Sequence, residues 1–330
     1  MLVSALGCSK SVQEALLHPH SGCELFASQD TLYIPMGVAG YNDVKHYPLG
    51  RSPIFVGDNE NEIVFIEDET NSFSSKLVLF NRDEQMSMSI SDEMNRLYSL
   101  SISENNMLTY YDVNQNLWTS AIDGSSSTLV NTGSKWPAWN PSGDRLGYYN
   151  SIDFNNSTYL VCDTNYSVLD SMHISIGGDL ILAEFAVVDW HSAEVAMTPT
   201  LIDSVSGIGN VNLFTKEVES FIPWSSFSSS AHKVLKFKFD NSSNSCLILF
   251  ADLGLYSANF TTGSIIPVKL NDNWHSIKSF DWIPENALCV IEVDHYTYVP
   301  GSSSYPTRLI DKRFLLISTS GCVLDSYEIH

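Results

Sequence analysis

A short pattern recurs along this 330-residue chain: a large apolar residue opens a polar turn, and a new apolar run begins a few residues later. Its clearest copy is Trp139-Asn140-Pro141-Ser142-Gly143-Asp144-Arg145-Leu146-Gly147-Tyr148-Tyr149. Recurrence at a spacing of a few tens of residues marks a repeat architecture. The anchors of the repeat are assigned to Leu17, Val56, Ile90, Trp139, Trp190, Phe239 and Trp282, with intervals of 39, 34, 49, 51, 49 and 43 residues. A four-stranded propeller blade takes about 40–50 residues, whereas leucine-rich and most helical repeats are shorter. The spacing therefore predicts an all-β chain with a single β-propeller over 11–330. Seven four-stranded antiparallel blades are expected, with six as the alternative because the interval after Val56 is short.

The segments between anchors support strands. Ile63-Val64-Phe65-Ile66, Lys76-Leu77-Val78-Leu79-Phe80 and Arg313-Phe314-Leu315-Leu316-Ile317 are short apolar runs bounded by Asn, Asp, Gly and Ser clusters that favour turns. Lys236 and Lys238 alternate with Leu235, Phe237 and Phe239, the period of a strand with one wet face. Only 11–17 is compatible with a helix, and it is short. Each anchor is expected to pack between neighbouring sheets, since no blade can bury both faces alone. Closing the ring requires the chain ends to meet, so the run 321–327 is expected to share a blade with a segment near the N-terminus.

Charge narrows the partners. The chain has 38 acidic and 17 basic residues, a net charge of −21, and no Lys or Arg between Arg145 and Lys216. Affinity for nucleic acid comes largely from neutralising phosphates with Lys and Arg, so DNA and RNA are excluded as partners. Anionic lipid head groups are disfavoured for the same reason. No apolar run approaches the length of a transmembrane helix. The six cysteines, Cys8, Cys23, Cys162, Cys246, Cys289 and Cys322, show neither disulfide-framework nor zinc-ligand spacing. Cys246 and Cys289 lie inside apolar runs, where a buried free thiol is expected.

Met1-Leu2-Val3-Ser4-Ala5-Leu6-Gly7-Cys8-Ser9-Lys10 resembles the end of a bacterial lipoprotein signal peptide. That resemblance implies lipidation of Cys8, with 1–10 a signal remnant or linker. The alternative is a short apolar first strand that buries Cys8. A second resemblance lies at 117–146. Leu117-Trp118-Thr119-Ser120-Ala121-Ile122-Asp123-Gly124 is followed by Trp136-Pro137-Ala138-Trp139-Asn140-Pro141-Ser142-Gly143-Asp144-Arg145-Leu146. This is similar to the TolB-like, WD40-like β-propeller repeat of bacterial cell-envelope proteins. Asn140 and Ser142 stand where that repeat usually has Ser and Asp. The resemblance implies a periplasmic or outer-membrane location; a cytoplasmic scaffold is the alternative.

Catalytic signatures are sparse. There is no G-x-S-x-G nucleophile elbow. Gly207-Ile208-Gly209 lacks the third glycine and the helix of a dinucleotide site. His18-Pro19-His20-Ser21-Gly22-Cys23 has soft and borderline metal ligands, but it occupies a repeat turn. Asp58-Asn59-Glu60-Asn61-Glu62 lacks the glycine and distal Glu of a calcium loop. No cofactor or metal is expected. The function indicated is a non-catalytic binding or scaffold propeller that recognises a protein or glycan partner through rim loops. Tyr41, Tyr296, Tyr298 and Tyr305 are candidate contacts. The alternative is a carbohydrate-active lyase or hydrolase, which would need two or more of His18, His191, His275 and His295 to converge with carboxylates in the axial funnel.

Overall fold

The computed structural model describes residues 27–28, 31–34, 45–47, 50–57, 59–68, 73–84, 86–151, 157–173, 189–190, 192–202, 205–227, 234–240, 243–250, 254–270, 275–283, 288–298, 307–318 and 323–329. Three short strands come first: β1 (Ala27–Ser28), β2 (Thr31–Ile34) and β3 (Lys45–Tyr47). Blade 1 holds β4 (Gly50–Val56), β5 (Asn59–Asp68), β6 (Ser74–Asn81) and β7 (Met86–Ser89), with β8 (Met94–Asn95) beside β6. Blade 2 holds β9 (Leu97–Ile102), β10 (Met107–Asp112), β11 (Leu117–Ala121) and β12 (Ser127–Asn131). In blade 3 are β13 (Ser134–Trp139), β14 (Arg145–Ser151), β15 (Ser157–Asp163) and β16 (Val168–His173). Blade 4 has β17 (Asp189–Trp190), β18 (Val195–Ile202), β19 (Val205–Asn212) and β20 (Val218–Pro223). Blade 5 is β21 (Val234–Asp240), β22 (Ser245–Phe250), β23 (Gly254–Asn259) and β24 (Ile265–Leu270). Blade 6 is β25 (His275–Ile283), β26 (Leu288–Tyr298), β27 (Thr307–Ser318) and β28 (Val323–Ile329).

Each blade is an antiparallel meander, and each consecutive pair shares one apolar cluster. Ile54, Val64 and Leu77 of blade 1 pack with Leu97, Leu108 and Tyr110 of blade 2. Leu117 of blade 2 meets Trp139 and Tyr148 of blade 3. Tyr159 and Val161 meet Trp190 and Ala196 of blade 4, while Met197 and Ile208 meet Phe237 and Ile248 of blade 5. Leu247 and Leu255 meet Phe280 and Trp282 of blade 6. Finally Ile283, Val290 and Phe314 of blade 6 meet Phe55, Ile63 and Phe65 of blade 1. Every sheet thus buries both faces only through its neighbours. The architecture is a β-propeller, and the described residues form six sheets, one of the two expected numbers. Strands β2 and β3 add as parallel edge strands to two of these sheets, and β1 pairs antiparallel with β2. β2 pairs with β24, and β3 pairs with β28. The latter pairing joins the C-terminal strand to an N-terminal segment, as ring closure requires.

The anchors show why the repeat exists. Val56, Trp139, Trp190, Phe239 and Trp282 lie at or next to the ends of the first strands β4, β13, β17, β21 and β25. Two indoles bond to the preceding blade: Trp139 Nε1–H donates to Thr109 Oγ1 (2.7 Å), and Trp190 Nε1–H to the Tyr159 hydroxyl (3.1 Å). Ile90 follows the fourth strand of blade 1 and packs between blades 1 and 2. The position in blade 2 that matches Trp139 by register is Ile102, which opposes Leu108 as Trp139 opposes Leu146. Leu17 and Cys8 lie outside the described residues.

The turn after Trp139 is held by Asn140, which is buried. Its Oδ1 accepts the Asp144 and Arg145 N–H groups (3.1 and 3.0 Å), and its Nδ2 donates to Ser142 and Asp144. The Gly143 N–H donates to the Asn140 carbonyl, and Gly143 takes φ +66°, which a side chain would oppose. The two departures from the TolB-like repeat, Asn140 and Ser142, are therefore partners in one local network. A second recurring device closes the outer hairpins. Asn81, Asp163, Asn212 and Asn259 each end the third strand of a blade and accept main-chain N–H groups of the turn that follows. Such side chains mimic a backbone turn. Cys162, Cys246 and Cys289 are buried free thiols.

Candidate functional site

The first strands of all six blades enclose one axial cavity of about 360 Å3. Its wall includes Arg51, Ser52 and Ile54 from β4, Tyr98 to Ile102 from β9, and Trp136 to Trp139 from β13. Asp189 comes from β17, Leu235 to Lys238 from β21, and Lys278, Ser279 and Asp281 from β25.

The strands are not regular where they face this cavity. In blades 1 to 3, two residues of the first strand oppose one of the second: Ser52-Pro53, Ser99-Leu100 and Trp136-Pro137. The first residue of each pair takes a left-handed backbone, with φ of 55°, 48° and 49° for Ser52, Ser99 and Trp136. In blades 5 and 6 a single extra residue interrupts the register, Leu235 and Lys278. Bulges of this kind re-aim side chains and concentrate near functional sites. A non-glycine residue held at positive φ costs on the order of 1–3 kcal/mol, which the surrounding packing must offset. Three of the six first strands thus spend local stability where they line the axis. Proline suits two of the bulges, because its missing N–H falls where the ladder is already broken.

Carboxylates strap neighbouring first strands together. The Phe239 N–H of blade 5 donates to Asp189 Oδ2 of blade 4 (2.9 Å). Phe55 N–H of blade 1 donates to Asp281 Oδ2 of blade 6 (2.9 Å), and Ser52 N–H to Glu292 Oε2 of blade 6 (2.8 Å). In blade 2 the acceptor is Ser101 Oγ, which takes the Trp139 N–H (3.1 Å). Asp189 and Asp281 each stand one residue before the anchors Trp190 and Trp282, and Ser101 one residue before Ile102. Burial pushes the Asp189 carboxyl above the usual carboxylate range, against the pull of Lys238 and the Phe239 N–H.

Four of the chain's 17 basic residues line this one wall, an enrichment that the acidic composition does not suggest. Three have carboxylate partners. Arg51 makes a bidentate pair with Asp68 (2.7 and 2.9 Å) and lies over the Tyr98 ring. Lys238 is 3.6 Å from Asp281, and Lys278 is 3.7 Å from Asp294. Lys236 lies over the Phe280 ring at 5.9 Å. Burial holds its pKa below the usual lysine value, with Asp281 opposing the shift. Tyr98 and Tyr111 stack at 5.5 Å beside these cations, and burial together with Tyr98 raises the Tyr111 phenol.

Of the histidines considered for an axial funnel, only the strand positions of His275 and His295 are described. His275 and His295 oppose one another across β25 and β26, at the end of β25 away from Trp282. His18, His20, Cys23, Asp58, His191, Tyr41 and Tyr305 lie outside the described residues; of Tyr296 and Tyr298 only the strand β26 is described. Gly207 and Gly209 are interior residues of strand β19, paired with β18 and β20. Among the described residues no three His, Cys, Asp or Glu side chains are grouped to hold a metal. The axial site itself had a signal in the sequence: Ser52-Pro53 and Trp136-Pro137 both precede strand ends, a pattern tied to bulges.

No known protein-family model matches the sequence, and no curated protein matches it. Solved structures with the same fold do. TolB from Acinetobacter baumannii superposes with a TM-score of 0.55 at 12% identity, over 80% of this chain and 63% of that one. The β-propeller domain of the Trilobed protease from Pyrococcus furiosus, described as having an open velcro topology, gives 0.53 at 12% identity over 86% and 98%. A protein of unknown function from Bacteroides caccae gives 0.52 at 12% identity over 80% and 92%. The class is that of β-propellers, with TolB among its structural neighbours. The chain spans 63% of the TolB chain's length. Among the described residues no helix is long and apolar enough to cross a membrane.

Proposed function

We propose that the chain is a non-catalytic binding propeller of the bacterial envelope, which recognises a protein or glycan partner at the rim around its axial mouth. The observation that supports this is the use to which the axial carboxylates are put. Asp189 and Asp281 both accept main-chain N–H groups from the next blade, so each holds the ring rather than standing free as an acid or base. A catalytic pair needs carboxyls within reach of a substrate and with protonation states set apart for the task. A ring whose concave centre combines aromatic rings, hydroxyls and cations has the make-up of a binding site. The TolB-like repeat around Trp139 supports the envelope location, and Cys8 is the proposed lipid anchor.

Two experiments test this. The propeller with a photo-crosslinking residue at Val113, an exposed position in the β10–β11 turn, or at Leu235 on the axial wall, is compared in living cells. A discrete crosslinked partner, or a glycan-dependent adduct, is expected from the axial position. Turnover of polysaccharide by the purified protein, abolished by substitution of His275 or His295, would overturn the non-catalytic reading in favour of the carbohydrate-active one. The anchor is tested by metabolic labelling with a palmitate analogue, using an upstream-extended gene and its Cys8→Ser variant. Label is expected only with Cys8 present; an unlabelled protein that fractionates with the cytosol would overturn the envelope assignment.

A further inference from the structure

The outer edges of the blades are not equally guarded. An open edge offers unpaired N–H and C=O groups to any other strand, and natural sheets blunt it with charge, proline or a covering strand. In blades 5 and 6 the outer strands β24 and β28 are covered by β2 and β3 of the chain itself, each added in parallel. The outer strands β16 and β20 carry Asp170 and Glu219. Strand β12 is uncharged, but Leu129 is its one exposed large apolar residue. On blade 1 the outer strand β7 reads Met86-Ser87-Met88-Ser89, without charge or proline, and every residue of it is exposed. Among the described residues no strand pairs with its outer side. The Ile90 N–H donates to the Leu77 carbonyl of β6 (2.8 Å), and β7 keeps unbroken antiparallel register with β6. Main-chain groups alternate in direction along a strand. The main chains of Met86 and Met88 therefore bond β6, while Ser87 and Ser89 turn their N–H and C=O groups outward. Met86 and Met88 are 64% and 53% exposed, flexible side chains of the kind that adapt to varied partners. Exposed carboxylates bracket the strand, Asp83 and Glu84 before it and Asp92 and Glu93 after it.

We propose that the free edge of β7 is a docking site for an extended segment of a partner protein, which adds to blade 1 as a further outer strand through Ser87 and Ser89. The chain's own β2 and β3 are the precedent, because they add to the same edge of blades 5 and 6. The exposed charges select the partner. Carboxylates at both ends of the strand repel a second copy, whose own β7 would bring the same carboxylates, and favour a segment with Lys or Arg at each end. Between those ends the segment needs apolar side chains at alternate positions to cover Met86 and Met88, since residues two apart lie on one face of a strand. Main-chain bonds then supply affinity, and the alternate side chains and flanking charges supply specificity. The site lies on the outer circumference of the ring, so it is a second surface and does not depend on the axial reading.

The test uses the purified full chain and a fluorescent peptide of alternating Val and Thr with a lysine pair at each end, followed by anisotropy. Two peptides are compared with it. One has the same core between glutamate pairs; the other keeps the lysines but has proline in its core, which prevents strand pairing at unchanged charge. The lysine-flanked Val/Thr peptide should bind with a dissociation constant on the order of 0.1 mM, and both others more weakly by about tenfold or more. Its binding should slow amide exchange at 86–89 and leave exchange in the axial strand β21 unchanged. Ser87→Pro removes an outward N–H, keeps the bonds of Met86 and Met88 to β6, and should lose about tenfold in affinity. Asp83→Asn, Glu84→Gln, Asp92→Asn and Glu93→Gln combined in one variant alter only exposed side chains and should lose as much. That variant decides the matter if Ser87→Pro fails to fold. No binding by the folded wild type, wild-type affinity in either folded variant, or unchanged exchange at 86–89 would overturn the proposal. Equal binding of the proline-containing peptide would do the same, since the attraction would then be one of overall charge, and so would equal binding of the glutamate-flanked one. Self-association that protects 86–89 would also overturn it, because the occupant would be a second copy.

Discussion

Asp281 fastens the last blade to the first, and its removal should be disproportionately costly. The side chain is 5% exposed, and its Oδ2 accepts the buried Phe55 N–H at 2.9 Å while Oδ1 lies 3.6 Å from Lys238. Asp281→Ala leaves the Phe55 N–H without an acceptor in a closed interface, a loss of about 1–3 kcal/mol. It also strips Lys238 of its carboxylate. That pair is partly open to water on the lysine side, so its loss adds about 0–1 kcal/mol. The expected destabilisation is about 2–3 kcal/mol, a sizeable fraction of the ~5–15 kcal/mol that holds a typical domain together. Asp281→Asn keeps an acceptor oxygen and should lose roughly half as much. Urea unfolding followed by tryptophan fluorescence measures both, and hydrogen exchange at the Phe55 amide reports on the strap itself. If Asp281→Ala unfolds within about 0.5 kcal/mol of wild type, or the Phe55 amide stays as protected as before, the strap does not hold the ring.

Three further outcomes follow from the packing. Gly147→Ala would place a methyl 1.9 Å from the Tyr159 hydroxyl, which is fully buried and accepts the Trp190 N–H, so thermal unfolding should show a loss of about 1–3 kcal/mol or more. Trp139→Phe should cost about 1 kcal/mol more than Trp282→Phe in denaturant titrations, because only Trp139 has a partner for its indole N–H, Thr109, that would be orphaned. The Asp68 carboxyl is raised by burial but more strongly lowered by hydrogen bonds from Arg51 and Ser75, so its folded pKa lies below the ordinary 3.8. Its stabilisation is complete above that unfolded value and is lost as pH falls below 3.8 through the lower folded value. Asp68→Asn should flatten the pH dependence of stability in that acid window and leave the slope at neutral pH unchanged.

The repeat was legible because its chemistry is local. Trp139 to Asp144 is a hairpin turn whose every bond falls within a few residues, and the anchors at Trp190, Phe239 and Trp282 repeat its place at a strand end. The burial of Cys246 and Cys289 could be read from the apolar runs that contain them. Ile90 was misassigned because apolarity before a polar turn does not distinguish a first strand from a fourth; Ile102 occupies the matching register. The place of β2 and β3 was not legible because strand propensity does not say which sheet a strand joins, and they add to the edges of blades 5 and 6.

By itself the sequence determined an all-β ring of repeated sheets, because turn chemistry and strand period are encoded within each repeat. Only the tertiary structure decided what the ring surrounds. Strict alternation places Lys236 and Lys238 on one wet face, but it says nothing of Arg51, Tyr98, Trp136 and Asp281, which come from separate blades. Bulges at Ser52, Ser99 and Trp136 break the two-residue period at the very positions that line the axis, so the pattern that identifies the strands fails there. Ring closure then brings the first strands of six blades to one cavity, where Lys236 and Lys238 of one blade meet the counter-charges Asp189 and Asp281 of its two neighbours.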